Sequence, residues 1–391
     1  MNSRGARLPR RRRRDAGAAR RDDVGGPPAT IMLNGKFLSA PPTGVHRVAG
    51  ALITHLDKVL AQGGQRRRWI LLCPKDADGA LPLEVIERRR VGRLTWQAWE
   101  QLELPGAARG EVLVNLCNLA PLRHRRSVTM IHDAQVFLTP DSYPAPFRAW
   151  YRFALPRIGR GSARILTVSD YSRDRLAQFR VASPEKIDVV RNGVDHMQPI
   201  VPDGAILARL KLTPGGYVLA AAGAQKHKNV GLLFRAFAAH ALRGLALVVA
   251  GGDREAAFAA AGAPAPPGTI FAGRTSDAEL RALYENAHCL AFPSTTEGFG
   301  LPPMEAMSVD CPTIVAPCGA LPEVCGGAAL YADERDPAAW AAAIQSLYER
   351  RLRLRLREAG RVRAALYRWE DSARRLMAIV EGVAERAGRG A

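Results

Sequence analysis

The sequence lacks a hydrophobic run of the kind that crosses a membrane. Apolar runs such as Tyr217 to Ala224 and Leu245 to Gly251 have the length of a strand and are bounded by glycine. A membrane-spanning helix needs about 18 or more consecutive apolar residues. This absence predicts that the chain is not an integral membrane protein, and we expect a cytoplasmic one.

Paired cysteines and several nucleotide-binding or nucleic-acid-binding motifs are also missing. The six cysteines are scattered without paired spacing, which predicts a reducing compartment and no zinc site. The Walker A and dinucleotide glycine fingerprints are absent, which argues against an NTPase or an NAD enzyme. No RNA-binding aromatic motif, zinc finger or helix-turn-helix pattern occurs, so we expect no nucleic-acid partner.

Acidic residues are too few to balance the basic ones, and the net charge is +19. Residues 1–30 contain nine Arg and three Asp, carry +6 of this charge and read as a disordered leader. Because Met32 precedes the first plausible strand, one hypothesis is that this leader is upstream sequence absent from the working protein; an intact mass that includes Met1 would contradict it. The remaining +13 fits solvated Arg-rich faces, or contact with anionic lipid or substrate.

From Ile31 onward, short apolar strands alternate with amphipathic helices, which predicts parallel α/β sheets. At 391 residues the chain exceeds what one hydrophobic core usually supports, so two lobes are expected. We predict a first lobe over residues 31–198, a linker over 199–216 and a second lobe over 217–369. A C-terminal helix over residues 370–391 is expected to pack back on the first lobe.

The segment from Pro293 to Glu305 carries the clearest chemical signal. Glu297 and Glu305 flank a loop with two glycines, and Pro302 and Pro303 suit the first turn of a helix. Apolar strand patterns precede and follow the segment, and ligands of open α/β sheets bind where such loops leave the strands. The pattern indicates a nucleotide-sugar site; the alternative is a solvated loop acid and an ordinary helix-start charge.

The chain resembles the retaining GT-B glycosyltransferases of family GT4 over nearly everything from Met32 onward. Within that family it is similar to bacterial mannosyltransferase-like enzymes of surface polysaccharide assembly. The resemblance rests on motifs whose order and spacing fit the family: Asn34-Gly-Lys-Phe, Thr43-Gly-Val-His-Arg47, Trp96-Gln-Ala-Trp-Glu-Gln101, Ile131-His-Asp133, Thr167-Val-Ser-Asp-Tyr-Ser172, Arg191-Asn-Gly-Val-Asp195, His227-Lys-Asn229, Phe271-Ala-Gly273 and Glu297 to Glu305. It implies two Rossmann-like, doubly wound lobes with a cleft between them, and metal-independent transfer of a hexose.

The resemblance also implies roles for individual residues. Lys228 would contact the diphosphate, Glu305 the ribose hydroxyls and Glu297 the donor sugar, with no protein nucleophile. His132 would lie near the donor sugar and the acceptor. Backbone N–H groups would contact the donor at Gly44, Gly298, Phe299, Gly300 and Leu301.

Two departures from the family pattern leave questions open. Relatives place an arginine just ahead of the diphosphate lysine, whereas here Lys226, His227 or Arg274 would have to supply the second cation. Asp310 stands where relatives usually have glycine, and we expect Asp to tolerate the left-handed backbone there.

The donor and the acceptor follow only from the resemblance. GDP-mannose is the first expectation and a UDP-sugar the second, with a glycan or polyprenyl-linked oligosaccharide as acceptor and no bound cofactor. The basic first lobe is compatible with contact to the inner face of a membrane. A metal role for Asp76-Ala-Asp78 is not expected, because Lys75 and Gly79 make it a surface turn. The alternatives are a two-lobed nucleotide-sugar epimerase or phosphorylase, and a non-catalytic basic binding protein.

Overall fold

The fold is known from a computed structural model that describes residues 30–41, 43–63, 67–239, 242 and 244–389. Residues 1–29 of the predicted leader lie outside these described residues, as do residues 390 and 391 at the end of the predicted C-terminal helix.

Two parallel sheets organise the chain. The first has the order β3-β2-β1-β4-β5-β6-β7 and the second the order β10-β9-β8-β11-β12-β13. The strands are β1 Ile31–Asn34, β2 Trp69–Cys73, β3 Glu87–Arg90, β4 Val112–Asn115, β5 Ser127–Met130, β6 Arg164–Thr167, β7 Ile187–Val189, β8 Tyr217–Ala221, β9 Ala246–Ala250, β10 Ile270–Gly273, β11 Cys289–Phe292, β12 Thr313–Val315 and β13 Leu330–Tyr331. We call the first sheet with its helices the first lobe, and the second sheet with its helices the second lobe.

Helices connect the strands and cover both sheets. They are α1 Gly44–Gln62, α2 Trp96–Ala98, α3 Leu104–Ala107, α4 Gln135–Leu138, α5 Ala145–Gly161, α6 Asp170–Gln178, α7 Ala205–Arg209, α8 Val230–Ala239, α9 Glu255–Ala260, α10 Asp277–Asn286, α11 Leu301–Ser308, α12 Leu321–Cys325, α13 Pro337–Ser346, α14 Arg350–Ala364 and α15 Trp369–Arg389. A π-helix over Trp99–Glu103 joins α2 to α3.

Both sheets are doubly wound, which confirms the predicted fold class. Strand order reverses between β1 and β4 in the first sheet and between β8 and β11 in the second. Ligands of such sheets bind at these switch points, beyond the carboxyl ends of the strands. The motif Pro293 to Glu305 follows β11, so it lies at the switch point of the second lobe.

Sequence patterns predicted the central strands and a strand over Thr269 to Ala272, at the β10 edge of the second sheet, but missed the edge strands β3, β7 and β13. β3 is Glu-Arg-Arg-Arg and mostly exposed, so it has no apolar signal. β7 has three residues and β13 two, too short for a period to be read. The stretch predicted as a linker, residues 199–216, contains α7, whose Arg209 forms an ion pair with Glu279 of α10 at 2.7 Å.

The last helix returns to the first lobe. α15 begins at the buried Trp369, whose ring stacks on His55 of α1 at 6.4 Å between ring centroids. Arg374 of α15 donates to Gln62 at the end of α1. Within the described residues, no helix has both the length and the apolar character that crossing a membrane requires.

Candidate active site

The glycine loop, residues 293–300, leads into α11, and two of its positions require glycine for different reasons. Gly300 has φ of 95°, a conformation that strains any residue with a Cβ. Gly298 has no room for a side chain, because a Cβ there would lie 2.8 Å from the carbonyl oxygen of His132 and 2.9 Å from Cβ of Asp133. The loop of the second lobe therefore presses directly on the first lobe.

Pro302 and Pro303 lie in the first turn of α11, as predicted, but the expected position of Glu305 needs correction. The helix begins at Leu301, so Glu305 lies in its second turn and not in the first. Pro302 and Pro303 follow Leu301 directly and have no N–H, so the helix start offers fewer amide donors than a typical one. At this junction the backbone N–H groups of Gly298, Phe299, Gly300 and Leu301 remain the candidates for anion contact.

Lys228 and Glu297 form the charged centre of the site. Lys228 Nζ lies 2.7 Å from Glu297 Oε1, and the glutamate is 8% exposed. Asn229 adopts the left-handed conformation after the turn Lys226–Lys228, and its side chain donates to the carbonyl of Pro293 at 3.2 Å. The turn after β8 and the loop after β11 are thus tied together, and the two sequence-predicted side chains meet.

His132 lies at the carboxyl end of β5 and is 5% exposed. Its Nε2 lies 2.9 Å from the carbonyl oxygen of Leu116, and a carbonyl can only accept, so Nε2 carries the proton and Nδ1 is left as an acceptor. Burial lowers the pKa of His132 to about 4. At neutral pH the ring is uncharged, and its Nδ1 can accept a hydrogen bond without becoming protonated.

Asp133 is placed against the centre of the site. Burial raises its pKa to about 6, and the nearby negative charge of Glu297 adds to the effect. In an unfolded chain this carboxyl would titrate near 4, so above pH 6 its ionisation destabilises the folded state, and the penalty is relieved as pH falls from 6 towards 4. Its Oδ1 accepts from the backbone N–H of Gln135 at 2.9 Å.

Several hydrogen bonds clamp the glycine loop to the first lobe. The hydroxyls of Ser169 and Ser172 donate to the carbonyl of Gly298 at 2.6 and 3.2 Å. Gln135 Nε2 donates to the carbonyl of Thr296 at 3.1 Å. The cleft is therefore closed on the glycine loop.

Glu323 of α12 adds a second interlobe contact. Its two carboxylate oxygens accept from the backbone N–H groups of Asp170 and Tyr171, each at 3.0 Å. Those amides form the start of α6, where a negative charge is favoured. A residue of the second lobe thus caps a helix of the first.

Glu305 is buried, and side chains of His196 and Tyr284 lie next to its carboxylate. The indole Nε1 of Trp369 donates to Nδ1 of His196 at 3.0 Å, so the proton of His196 must reside on Nε2, which lies 3.3 Å from Glu305 Oε1. The hydroxyl of Tyr284 donates to Glu305 Oε2 at 3.3 Å. Arg47 of α1, which pairs with Asp277 at 2.6 Å, approaches from the first lobe.

The remaining predicted residues are placed as follows. Phe299 is buried edge-on against Tyr367 at 5.4 Å between ring centroids. Gly44 is the exposed first residue of α1, and its backbone leaves open space on that side. Arg274 is exposed just beyond β10. Asp310 has φ of 65°, which confirms that it adopts the left-handed backbone predicted there.

The structure argues against His227 as the second cation. Its ring is buried and stacks on Tyr143 at 6.2 Å, and burial together with the charge of Lys228 lowers its pKa to about 4. It is therefore neutral at pH 7. Lys226 and Arg274 are both exposed and remain candidates.

Sequence reasoning missed the residues that close the site: Arg47, Gln135, Ser169, Ser172, His196, Tyr284 and Glu323. Some lie inside motifs that carried the resemblance, for example Arg47 in Thr43–Arg47 and both serines in Thr167–Ser172. Glu323 and Tyr284 stand in helices with no local chemical signal. Only the tertiary packing, within the second lobe for Tyr284 and between the lobes for Glu323, brings them to the site.

Comparison with known families decides what kind of protein this is. A model described as Glycosyltransferase Family 4 matches residues 109–198, and one described as Glycosyl transferases group 1 matches residues 216–350. The two matches fall in different lobes and together cover more than half of the chain. The chain belongs to glycosyltransferase family 4.

Curated relatives of this GT4 protein include mannosyltransferases. It is 29% identical over 231 residues to the O-antigen chain mannosyltransferase RfbU of Salmonella typhimurium, covering 58% of this chain and 62% of that one. It is 28% identical over 264 residues to the O-antigen chain mannosyltransferase B of Escherichia coli, covering 64% and 69%. The alignment thus spans only about two thirds of the length of these relatives.

Solved structures of similar fold confirm the GT-B architecture of this GT4 protein. Sucrose-phosphate synthase from Thermosynechococcus elongatus has a TM-score of 0.68 at 18% identity, covering 91% of this chain and 99% of that one. WaaG, a glycosyltransferase involved in lipopolysaccharide biosynthesis, has a TM-score of 0.65 at 15% identity, covering 90% and 100%. HepE from Anabaena, solved in complex with UDP and glucose, has a TM-score of 0.66 at 15% identity, covering 90% and 99%.

Proposed function

We propose that this GT4 protein transfers a hexose from a nucleoside diphosphate sugar to a hydroxyl of a glycan or polyprenyl-linked oligosaccharide. The observation that carries the proposal is the 2.7 Å pair between Lys228, on the turn after β8, and Glu297, on the glycine loop that presses against His132. A cation, a carboxylate and backbone amides at one switch point are what an activated sugar requires. The membership of the family supports the same reaction class.

Lys228 supplies the charge that the leaving group needs. Departure of the nucleoside diphosphate builds negative charge on its oxygens, and a preorganised cation stabilises that charge more in the transition state than in the ground state. Glu297 holds the ammonium in place before the donor arrives. Once the phosphates bind Lys228, the carboxylate is available to the sugar hydroxyls and to the positive charge that develops on the ring.

Retention of configuration is proposed to need no protein nucleophile and no metal ion. His132 is a weak base at pH 7, because burial lowers its pKa to about 4. It therefore accepts a hydrogen bond from a sugar hydroxyl and does not act as the general base. The oxygen of the departing phosphate is then the base left for the acceptor hydroxyl, which attacks from the same face. Lys228 and the backbone N–H groups of the glycine loop stabilise the negative charge of the diphosphate in place of a metal ion.

Mannose, donated by GDP-mannose, is the first choice of donor. Two relatives named as mannosyltransferases support it. A UDP-sugar is the second choice, since the similar HepE structure contains UDP. We also propose that the protein contacts the inner face of a membrane through basic residues, because polyprenyl-linked acceptors reside there.

Ligand-induced thermal shift tests the proposal directly. A donor that binds only the folded state raises the melting temperature by mass action, so GDP-mannose or a UDP-sugar should stabilise the wild-type protein. In Lys228→Met most of that thermal shift should disappear. The rate of sugar transfer should fall at least about a hundredfold. Lys58→Met, which changes an exposed lysine on α1, is the matched control and should behave as wild type.

The outcomes separate the alternatives. No shift with any GDP- or UDP-sugar would refute the proposal. A shift without turnover would indicate a non-catalytic binding protein. Turnover that requires inorganic phosphate, or that yields an epimerised nucleotide sugar, would indicate a phosphorylase or an epimerase.

A further inference from the structure

One short segment of the first lobe reaches both loops that carry the charged pair of the site. Lys228 lies on the turn after β8 and Glu297 on the glycine loop after β11, so both belong to the second lobe. The segment consists of Ser142, which ends the helical turn Pro140–Ser142, and Tyr143, which leads towards α5. Its contacts fall on the residues that directly precede Lys228 and Glu297.

The first contact is with His227, the neighbour of Lys228. The backbone N–H of His227 donates to Oγ of Ser142 at 3.3 Å. The rings of Tyr143 and His227 stack with 6.2 Å between centroids and 18° between planes, which lies in the usual range for aromatic pairs. The first lobe therefore holds both the backbone and the side chain next to Lys228.

The second contact runs through Gln135 to Thr296, the neighbour of Glu297. The hydroxyl of Tyr143 donates to Gln135 Oε1 at 3.0 Å, and Gln135 Nε2 donates to the carbonyl of Thr296 at 3.1 Å. Burial and the nearby charges of Asp133 and Glu297 raise the pKa of Tyr143, so its hydroxyl keeps the proton that this chain of bonds needs.

Tyr143 is itself firmly supported. Its ring stacks on Phe147 at 5.3 Å between centroids, and Phe147 stacks on Tyr151 at 4.0 Å, both on α5. Gln135 is 7% exposed, and both ends of its amide are paired. A buried amide that loses a partner costs free energy, so this network favours one arrangement of the two loops.

We propose that Tyr143 is a positioning residue for sugar transfer, which sets Lys228 and Glu297 in place from across the cleft. Its ring acts on the turn that carries Lys228, and its hydroxyl acts through Gln135 on the loop that carries Glu297. The inference rests on the proposed function, in which Lys228 stabilises the leaving diphosphate. A displacement of about 1 Å at such a group can cost about a hundredfold in rate.

Turnover of two Tyr143 variants tests the inference, measured as release of nucleoside diphosphate from a GDP- or UDP-sugar. Tyr143→Ala removes both contacts and should lower kcat about a hundredfold. Tyr143→Phe keeps the ring and loses only the hydroxyl, so kcat should fall about tenfold. Tyr331→Phe is the matched control, because it removes a tyrosine hydroxyl that donates to the carbonyl of Gly326 at 2.7 Å in β13, at the far edge of the second sheet.

Two further readouts separate positioning from a general loss of structure. Most of the thermal shift caused by GDP or UDP should remain in Tyr143→Ala, because Glu305 is unchanged. In a Lys228→Met background, Tyr143→Ala should lower kcat less than about tenfold, since groups that act as a unit have non-additive effects and only the contact with the Glu297 loop is left to lose.

The outcomes are distinct for the inference and for the proposed function. If both Tyr143 variants keep the kcat of the Tyr331→Phe control, the inference is wrong while the proposed function stands. Equal fold losses for Tyr143→Ala in the wild-type and Lys228→Met backgrounds would also overturn it, because a residue that only stabilises the fold acts independently of Lys228. If the wild-type protein turns over no GDP- or UDP-sugar, the proposed function fails and the inference fails with it.

Discussion

Gly319 offers a test of how strictly the position of Glu297 controls activity. This glycine has φ of 63°, and a Cβ added to it would lie 2.5 Å from the backbone nitrogen of Glu297 and 2.8 Å from its carbonyl oxygen. Gly268 has φ of 84° and open space around the same position. Both glycines are left-handed, but only one of them contacts the candidate site.

The two alanine variants should therefore differ in activity more than in stability. The left-handed conformation costs an alanine about 1–2 kcal/mol at either position. In Gly319→Ala the backbone of Glu297 must also move, because a separation of 2.5 Å is not tolerated by a real Cβ atom. A displacement of about 1 Å at a reacting group can cost about a hundredfold in rate.

Release of nucleoside diphosphate from the donor sugar selected by thermal shift measures the effect. We expect Gly268→Ala to show a lower melting temperature and nearly wild-type turnover. Gly319→Ala should show at least the same loss of stability and about a hundredfold lower kcat. Equal turnover in the two variants would refute the idea that the packing of Gly319 sets the position of Glu297.

Three further predictions concern interlobe contact and pH. Glu323→Ala removes the cap on the start of α6 at Asp170, which is worth about 1 kcal/mol, so the equilibrium between closed and open lobes should move about fivefold towards the open form. A larger radius of gyration in X-ray scattering checks this. Glu349→Ala is the control, because Glu349 is an exposed acid at a helix start and makes no capping bond. Asp133→Asn should raise the melting temperature at pH 8 by removing a penalty of up to about 3 kcal/mol, and much less at pH 4; equal gains at both pH values would contradict the raised pKa. His227→Phe should resist acid better than wild type as pH falls from 6.5 towards 4, since the folded histidine stays neutral while the unfolded one gains a proton; parallel melting curves over that range would count against it.

Buried strands of this protein have a clear sequence signal, and exposed edge strands do not. The apolar run that starts at Tyr217 contains β8, and the apolar pattern ahead of Pro293 is β11, because a buried parallel strand is a short apolar run bounded by turn residues. β3 was missed because an exposed edge strand has no such run. Pro302 and Pro303 were placed correctly in the first turn of α11, because proline there loses no helical hydrogen bond, but Glu305 lies just beyond that turn.

The sequence by itself determined the fold class, the family and the residues of the donor motif. Apolar periodicity, glycine and proline positions and charged motifs are all local, so they can be read along the chain. They placed Lys228 and Glu297 in loops that follow strands of the second lobe.

Only the tertiary structure decided how the lobes meet around those residues. The contact of Gly298 with His132 and the cap that Glu323 places on α6 join segments far apart in sequence. The protonation of His132 and Asp133 follows from burial, which no local pattern encodes. Chemistry in a cleft depends on distances across it, and those exist only once both sheets have formed and packed.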